Sequence, residues 1–221
     1  GVSHDIRTPL SMIVGYAERI ARDHAASGKI QQEAEIIRAQ SAKIKDLVQD
    51  LNLVSQLEYD MQPLTKAPVR PSRLLRSYAV ELLNAGIPEK YSLETEISKD
   101  AETAVIECDA RLISRAVGNL VQNSIRHNPQ GCTISLRLAC SDTAIFLTVA
   151  DNGVGLSAEK LRELEEKPHY MKSTDERLDL RHGLGLLLVR QIVEAHGGTM
   201  KMESTPQNGY KTILAFQKLL S

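Results

Sequence analysis

Apolar residues in the first quarter of the chain step alternately by three and four. Ile6, Leu10, Ile13, Ala17 and Ile20 form one series. Ile30, Ala34, Ile37, Ser41, Ile44, Val48 and Leu51 form a second, in which Ser41 is the one polar member. A period of about 3.5 residues keeps one helix face turned toward a partner helix, as in coiled coils and antiparallel bundles. Between the series, Ala25-Ala26-Ser27-Gly28 reads as a helix stop and turn. Residues 1–62 are therefore expected to form a helical hairpin. Two helices bury little surface by themselves, so the hairpin is expected to pair with a second copy as a four-helix bundle. The period alone would equally describe a coiled-coil spacer without chemistry.

After Met61-Gln62-Pro63 the pattern changes. Pro63, Pro68 and Pro71 punctuate a short linker, and beyond it helical and strand patterns interleave. The spacing predicts a helix over 71–86, strands over 92–97 and 103–108, and a helix over 109–127. Strands at 133–139 and 144–150, a short helix at 157–164 and an irregular polar stretch to His182 follow. A helix over 183–196 and strands at 199–203 and 210–216 close the chain. This order lacks the regular strand-helix-strand rhythm of a parallel sheet. It favours an α/β sandwich with a mixed sheet and helices on one face, over residues 67–221. With the hairpin in front, the chain as a whole is of the α+β class.

Length and charge narrow the function. At 221 residues the chain exceeds one domain of typical size. Its net charge of −1 provides no broad basic field for nucleic acid or an anionic membrane. No apolar run is long enough to span a bilayer. Three cysteines, Cys108, Cys132 and Cys140, show no metal-ligand spacing and read as free thiols of a reducing cytosol. The chain opens at Gly1-Val2-Ser3-His4, inside a helical pattern, and is taken as a fragment.

Four short segments carry candidate chemistry. Asn119, Asn123, Arg126 and His127 lie on one stripe of the 109–127 helix, because spacings of four, seven and eight return to one face. Carboxamide oxygens suit a hydrated Mg²⁺, and a guanidinium pairs with phosphate. A solvated polar face has the same pattern. Asp151-Asn152-Gly153-Val154-Gly155 follows a strand, where a carboxylate can accept from the exocyclic amine of a purine. Asp-Asn-Gly is also a common turn. Gly183-Leu184-Gly185-Leu186 is expected to open a helix whose free N–H groups favour phosphate. Between these two glycine boxes, Glu165–Thr174 suits a lid over a nucleotide, and equally a plain surface loop. At the other end, His4 lies off the apolar seam, with Asp5 beside it and Thr8 one turn on. A neighbouring carboxylate can hold an imidazole in one tautomer and raise its nucleophilicity.

Taken in order, these segments resemble the sensor histidine kinases, whose ATP fold is shared with gyrase, Hsp90 and MutL. His4-Asp5-Ile6-Arg7-Thr8-Pro9-Leu10 resembles the phosphoacceptor box, and Asn119–His127 the asparagine box. Asp151–Gly155 and Gly183–Leu186 resemble the two glycine boxes. The resemblance implies ATP and Mg²⁺ as cofactors, and autophosphorylation of His4 with Asp5 orienting or deprotonating it. It further implies phosphotransfer to an aspartate of a response regulator, with Thr8 positioning water when the regulator is dephosphorylated. Asn123 would be the Mg²⁺ ligand with Asn119 in support, Arg126 would face the phosphates, His127 would contact the nucleotide, and Asp151 would read adenine. Gly153, Gly155, Gly183, Leu184 and Gly185 would line the nucleotide. The family context implies a homodimer and the cytoplasmic part of an inner- or plasma-membrane protein. Three positions depart from the family pattern: His127 in place of a frequent Tyr, Arg181 in place of a glycine, and Lys211 in place of a late glycine. The lid phenylalanine is absent, Tyr170 being the nearest aromatic.

Overall fold

The computed structural model describes residues 2–22, 28–59, 61, 63–166 and 180–219, with side chains outside the description at 2–9, 21, 43, 166 and 180–183. The chain divides into two compact units, Gly1–Gln56 and Leu57–Ser221.

The first unit is a helical hairpin of α1 (Val2–Arg22) and α2 (Gly28–Glu58). The turn residues 25–27 lie outside the described residues. The expected single seam separates into two rows. On α2, Ala34 and Ser41 are 1% and 4% exposed, while Ile30, Ile37, Ile44 and Leu51 are 46%, 45%, 44% and 48% exposed. On α1, Leu10 and Ala17 are buried and Ile13 and Ile20 exposed. Leu10 and Ser41, like Ala17 and Ala34, are equidistant in sequence from the connection, as antiparallel helices require. Small residues in the buried row allow the close approach of helices in such a pair.

The second unit is built on a five-stranded mixed sheet of order β2-β4-β5-β7-β6. Its strands are β2 (Tyr91–Ile97), β4 (Cys132–Cys140), β5 (Ala144–Asp151), β6 (Thr199–Ser204) and β7 (Tyr210–Gln217). β2 runs parallel to β4 and the remaining pairs are antiparallel. Helices α3 (Pro71–Ala85), α4 (Ala110–His127) and α6 (Leu180–Ala195) pack on the face that carries Ile134, Leu136, Leu138, Ile145, Leu147, Val149 and Leu214. α4 turns Leu112, Ile113, Ala116, Val117, Leu120 and Val121 inward, spaced as a buried helix face requires. α5 (Ala158–Glu166) contacts β6. Cys108 and Cys132 are buried free thiols, and burial pushes Cys108 up to about 11.

Three elements differ from expectation, the first being the strand expected over 103–108, which is confined to Ile106–Cys108. The proline-rich stretch is not only a linker: Ala67–Val69 forms β1, paired antiparallel with β3 (Ile106–Cys108), with Pro68 opposite Glu107. Proline lacks a donor but is tolerated in a short edge strand. Helix α6 begins at Leu180, three residues before the glycine box expected to open it. Gly183 and Gly185 therefore lie inside the helix rather than ahead of it.

Candidate active site

α4 is fixed at its start by Asp109. Its Oδ1 accepts from the N–H groups of Arg111 (3.1 Å) and Leu112 (3.4 Å), and its Oδ2 accepts from Thr65 N–H (3.2 Å). This is N-capping, with one carboxylate also tying down the chain segment that enters the unit. Burial would raise the Asp109 pKa, but the bonds from Thr65, Leu112 and Arg111 prevail and hold it below the usual carboxylate value. The Asp109 N–H donates to His196 Nε2 (3.0 Å), and His196 Nδ1 lies 2.6 Å from the Ile192 carbonyl. Nε2 must accept, so Nδ1 carries the proton and the ring is neutral. Burial lowers the His196 pKa accordingly.

The other end of α4 meets the first glycine box. Ser124 Oγ–H donates to Asp151 Oδ2 (2.7 Å), and Gly153 N–H donates to Asp151 Oδ1 (3.0 Å). Asn128 follows the last turn of α4. Its Nδ2–H donates to the Ser124 carbonyl (2.8 Å), and its Oδ1 accepts from Val154 N–H (2.9 Å). A Cβ on Gly153 would overlap the Asn128 carboxamide, which is why glycine is needed there. Asn152 Oδ1 accepts from Thr133 N–H (2.8 Å) and holds the turn against β4.

The loop is locked a second time by the β6–β7 turn. Gly209 N–H donates to the Gly153 carbonyl (3.0 Å), Ser204 Oγ–H to the Gly209 carbonyl (2.7 Å), and Leu156 N–H to Ser204 Oγ (2.8 Å). Gly209 sits at φ +75°, and a Cβ there would overlap the Asp151 carbonyl. Lys211, in place of the family's late glycine, pairs with Glu203 (2.6 Å) on β6.

Between these anchors lie the polar stripe and α6. Asn119 and Asn123 are half-buried, and Arg126 and His127 are exposed on the last turn of α4. A Cβ built on Gly185 would stand 3.7 Å from Asn123 Oδ1, so the second glycine box faces the stripe at contact distance. Leu184 is buried. Among the described residues, Asn119 Nδ2, Tyr210 Oη and Thr212 Oγ1 are buried without a hydrogen-bond partner. Buried polar groups are normally satisfied; Tyr210 and Thr212 lie close enough to act on each other, so Asn119 Nδ2 is the orphan that fits a cleft completed by a polar ligand. Burial pushes Tyr210 up to about 12, with the Asp151 and Glu165 carboxylates adding to it. Where the expected lid would begin, Arg190 Nη1 donates to the Glu165 carbonyl (3.3 Å).

The structure thus gathers Asn119, Asn123, Arg126, His127, Asp151, Gly153, Gly155, Gly183, Leu184 and Gly185 on α4, α6 and the loop after β5. His4, Asp5 and Thr8 fall in α1, and their side chains lie outside the described residues. The same holds for the Arg181 side chain and, within the expected lid, for residues 167–174, Tyr170 included. Sequence reasoning missed Ser124, Asn128, Ser204, Tyr210 and Thr212 as parts of the site. Asn128 had a local signal, since it stands four residues after Ser124 and directly before Pro129, where a helix must end.

Comparison with known proteins bears on the family and the fold. A family model described as "Histidine kinase-, DNA gyrase B-, and HSP90-like ATPase" matches residues 108–219, and one described as "His Kinase A (phospho-acceptor) domain" matches residues 1–60. TcrY of Mycobacterium tuberculosis is 31% identical over 204 residues, 92% of this chain and 42% of that protein. The sensor histidine kinase YvrG of Bacillus subtilis is 26% identical over 220 residues, 99% of this chain and 37% of that protein. The chain therefore spans less than half the length of these curated relatives. Among solved structures, full-length ShkA in complex with AMPPNP matches with a TM-score of 0.80 at 22% identity, over 100% of this chain and 45% of that one. ThkA in complex with the response regulator protein TrrA matches with a TM-score of 0.65 at 20% identity, over 99% of this chain and 60% of that one.

Proposed function

The chain belongs to the sensor histidine kinase family, with its phosphoacceptor hairpin and its ATPase fold, and on that premise we propose that it transfers the γ-phosphoryl group of ATP to a ring nitrogen of His4. The observation that carries the reading is the cleft in which Asp151, held by Gly153 and by Ser124, is tied to the helix that carries the Asn119–Asn123 stripe beside Gly185. Asp151 accepts from the 6-amino group of adenine. Arg126 and His127, exposed at the end of α4, meet the phosphates, and the first-turn N–H groups of α6 offer them further donors. The Asn119 and Asn123 carboxamides are the hard oxygen donors that would hold Mg²⁺, which would neutralise charge on the phosphates when bound.

In the transfer step an imidazole nitrogen attacks the γ-phosphorus, the bond to the β–γ bridging oxygen breaks, and ADP leaves with that electron pair. Asp5, next in sequence, takes the imidazole proton. Positioning and charge neutralisation supply most of the rate in such a reaction. The phosphoryl group then passes to an aspartate of a response regulator, and Thr8 holds water when the same surface dephosphorylates that regulator. ThkA, solved with TrrA, is a protein of this fold bound to such a partner. The functional division is 1–62 for phosphoacceptance and dimerisation and 67–221 for catalysis. The segment works as a homodimer in the cytoplasmic part of a membrane protein.

The test is labelling with γ-labelled ATP. His4→Gln is expected to remove the acid-labile, base-stable label entirely and to leave ATP affinity within about twofold. Undiminished label in that variant rejects His4 as the acceptor.

A further inference from the structure

Ser124 opens the last turn of α4 and is 5% exposed. A serine there ordinarily turns its hydroxyl back to the carbonyl one turn earlier. Ser124 instead sends its single O–H across to Asp151 Oδ2 at 2.7 Å. Gly153 N–H occupies Oδ1 at 3.0 Å, and Gly153 is itself pinned between the Asn128 carboxamide and the Gly209 N–H. Both oxygens of the carboxylate are thus held by donors on two separate elements. The Asp151 side chain cannot rotate without giving up one of these bonds.

We infer that Ser124 is the positioning residue that makes Asp151 selective for a 6-aminopurine. The inference rests on the nucleotide reading above. Each carboxylate oxygen offers two acceptor sites, so one remains on each after Ser124 and Gly153 are served. A 6-amino group donates to such a site. A 6-oxo group presents an acceptor to an acceptor, and the fixed carboxylate cannot swing away from it. Selectivity in a polar site comes from leaving the wrong partner unpaired, and it needs the site's own group to stay in place. Without the Ser124 hydroxyl, Asp151 keeps one tether and can turn. The bond to adenine weakens, and the repulsion of a 6-oxopurine is relieved.

The probes are ATP and ITP, which differ at the purine 6-position, titrated against the whole chain by calorimetry. Ser124→Ala is expected to weaken ATP binding about tenfold, the size of one lost hydrogen bond. ITP binding is expected to hold or tighten, so the ATP:ITP preference falls by tenfold or more. The ratio is read within one variant, so partial loss of folded protein cancels from it. On an Asp151→Asn background, Ser124→Ala is expected to change the ratio by less than about twofold, because it acts only through Asp151. Equal weakening of both nucleotides, an unchanged ratio, or the same loss on both backgrounds overturns the inference. An unsubstituted chain that binds neither nucleotide overturns the nucleotide reading itself.

Discussion

One imidazole joins three parts of the ATP-binding unit. His196, just past the end of α6, accepts from the N–H of Asp109, whose carboxylate caps α4 and holds Thr65. Protonating Nε2 would place a donor against that N–H. Asp109 and Lys66 are the charged groups that act on the ring, the first favouring its cation and the second opposing it, and burial outweighs both. The folded state therefore binds this proton less readily than the unfolded chain. Its stabilising effect is complete above the ordinary histidine value of about 6.5 and is lost as pH falls from there through the lowered folded value. Asp109 also has a lowered pKa, but its window opens below about 3.8 and does not reach the range between pH 7 and pH 5.5. The melting temperature of the chain is expected to drop by about 2–4 °C between pH 7 and pH 5.5. In His196→Gln, whose carboxamide oxygen can still accept, that drop should shrink to under half. An equal slope in both proteins would assign the titration elsewhere.

At the scale of elements, the glycine-box loop and the β6–β7 turn behave as one piece, and two glycines with similar backbone angles should differ sharply. Gly209 (φ +75°) and Gly197 (φ +68°) both occupy the left-handed region. A Cβ on Gly197 meets nothing within 4 Å, so Gly197→Ala should cost about 1 kcal/mol, the strain of the conformation. A Cβ on Gly209 would overlap the Asp151 carbonyl, so the loop must move. Gly209→Ala should cost more than about 2 kcal/mol in a denaturant titration and weaken ATP binding by well over tenfold. Equal costs at the two sites would show that the turn is not packed on the loop. The contrast also marks where sequence is legible. α4 and its asparagine stripe were readable because a 3.6-residue period and a four-residue spacing are local properties. β4, β5 and β7 were readable by alternation. Strand β1 was not, because three residues containing Pro68 become a strand only through a partner some forty residues away. Ser124 and Gly209 were invisible as site residues for the same reason, since each acts on Asp151 across the fold.

For the whole molecule, the hairpin's surface calls for a second copy. Ile30, Ile37, Ile44 and Leu51 recur every seven residues on α2 and stand nearly half exposed, and Ile13 and Ile20 do the same on α1. The inner row, Leu10, Ala17, Ala34 and Ser41, is already buried within the chain. A heptad row left open on each of two antiparallel helices is the surface that a symmetric four-helix bundle closes. The bland alternative is a hairpin that tolerates exposed aliphatics singly, as many surfaces do. The two differ in what a charge does. Ile37→Glu with Ile44→Glu replaces side chains that are outside the hairpin's own packing, so a lone hairpin should keep its helicity and its mass. In a bundle the same pair places four carboxylates in one apolar core, where unpaired charge is costly. The unsubstituted chain is expected to sediment as a dimer and the double variant as a monomer across a hundredfold concentration range. ATP affinity should stay within about twofold, since the nucleotide site belongs to the other unit. A double variant that remains dimeric, or an unsubstituted chain that is monomeric throughout, would remove the exposed row as the dimer interface.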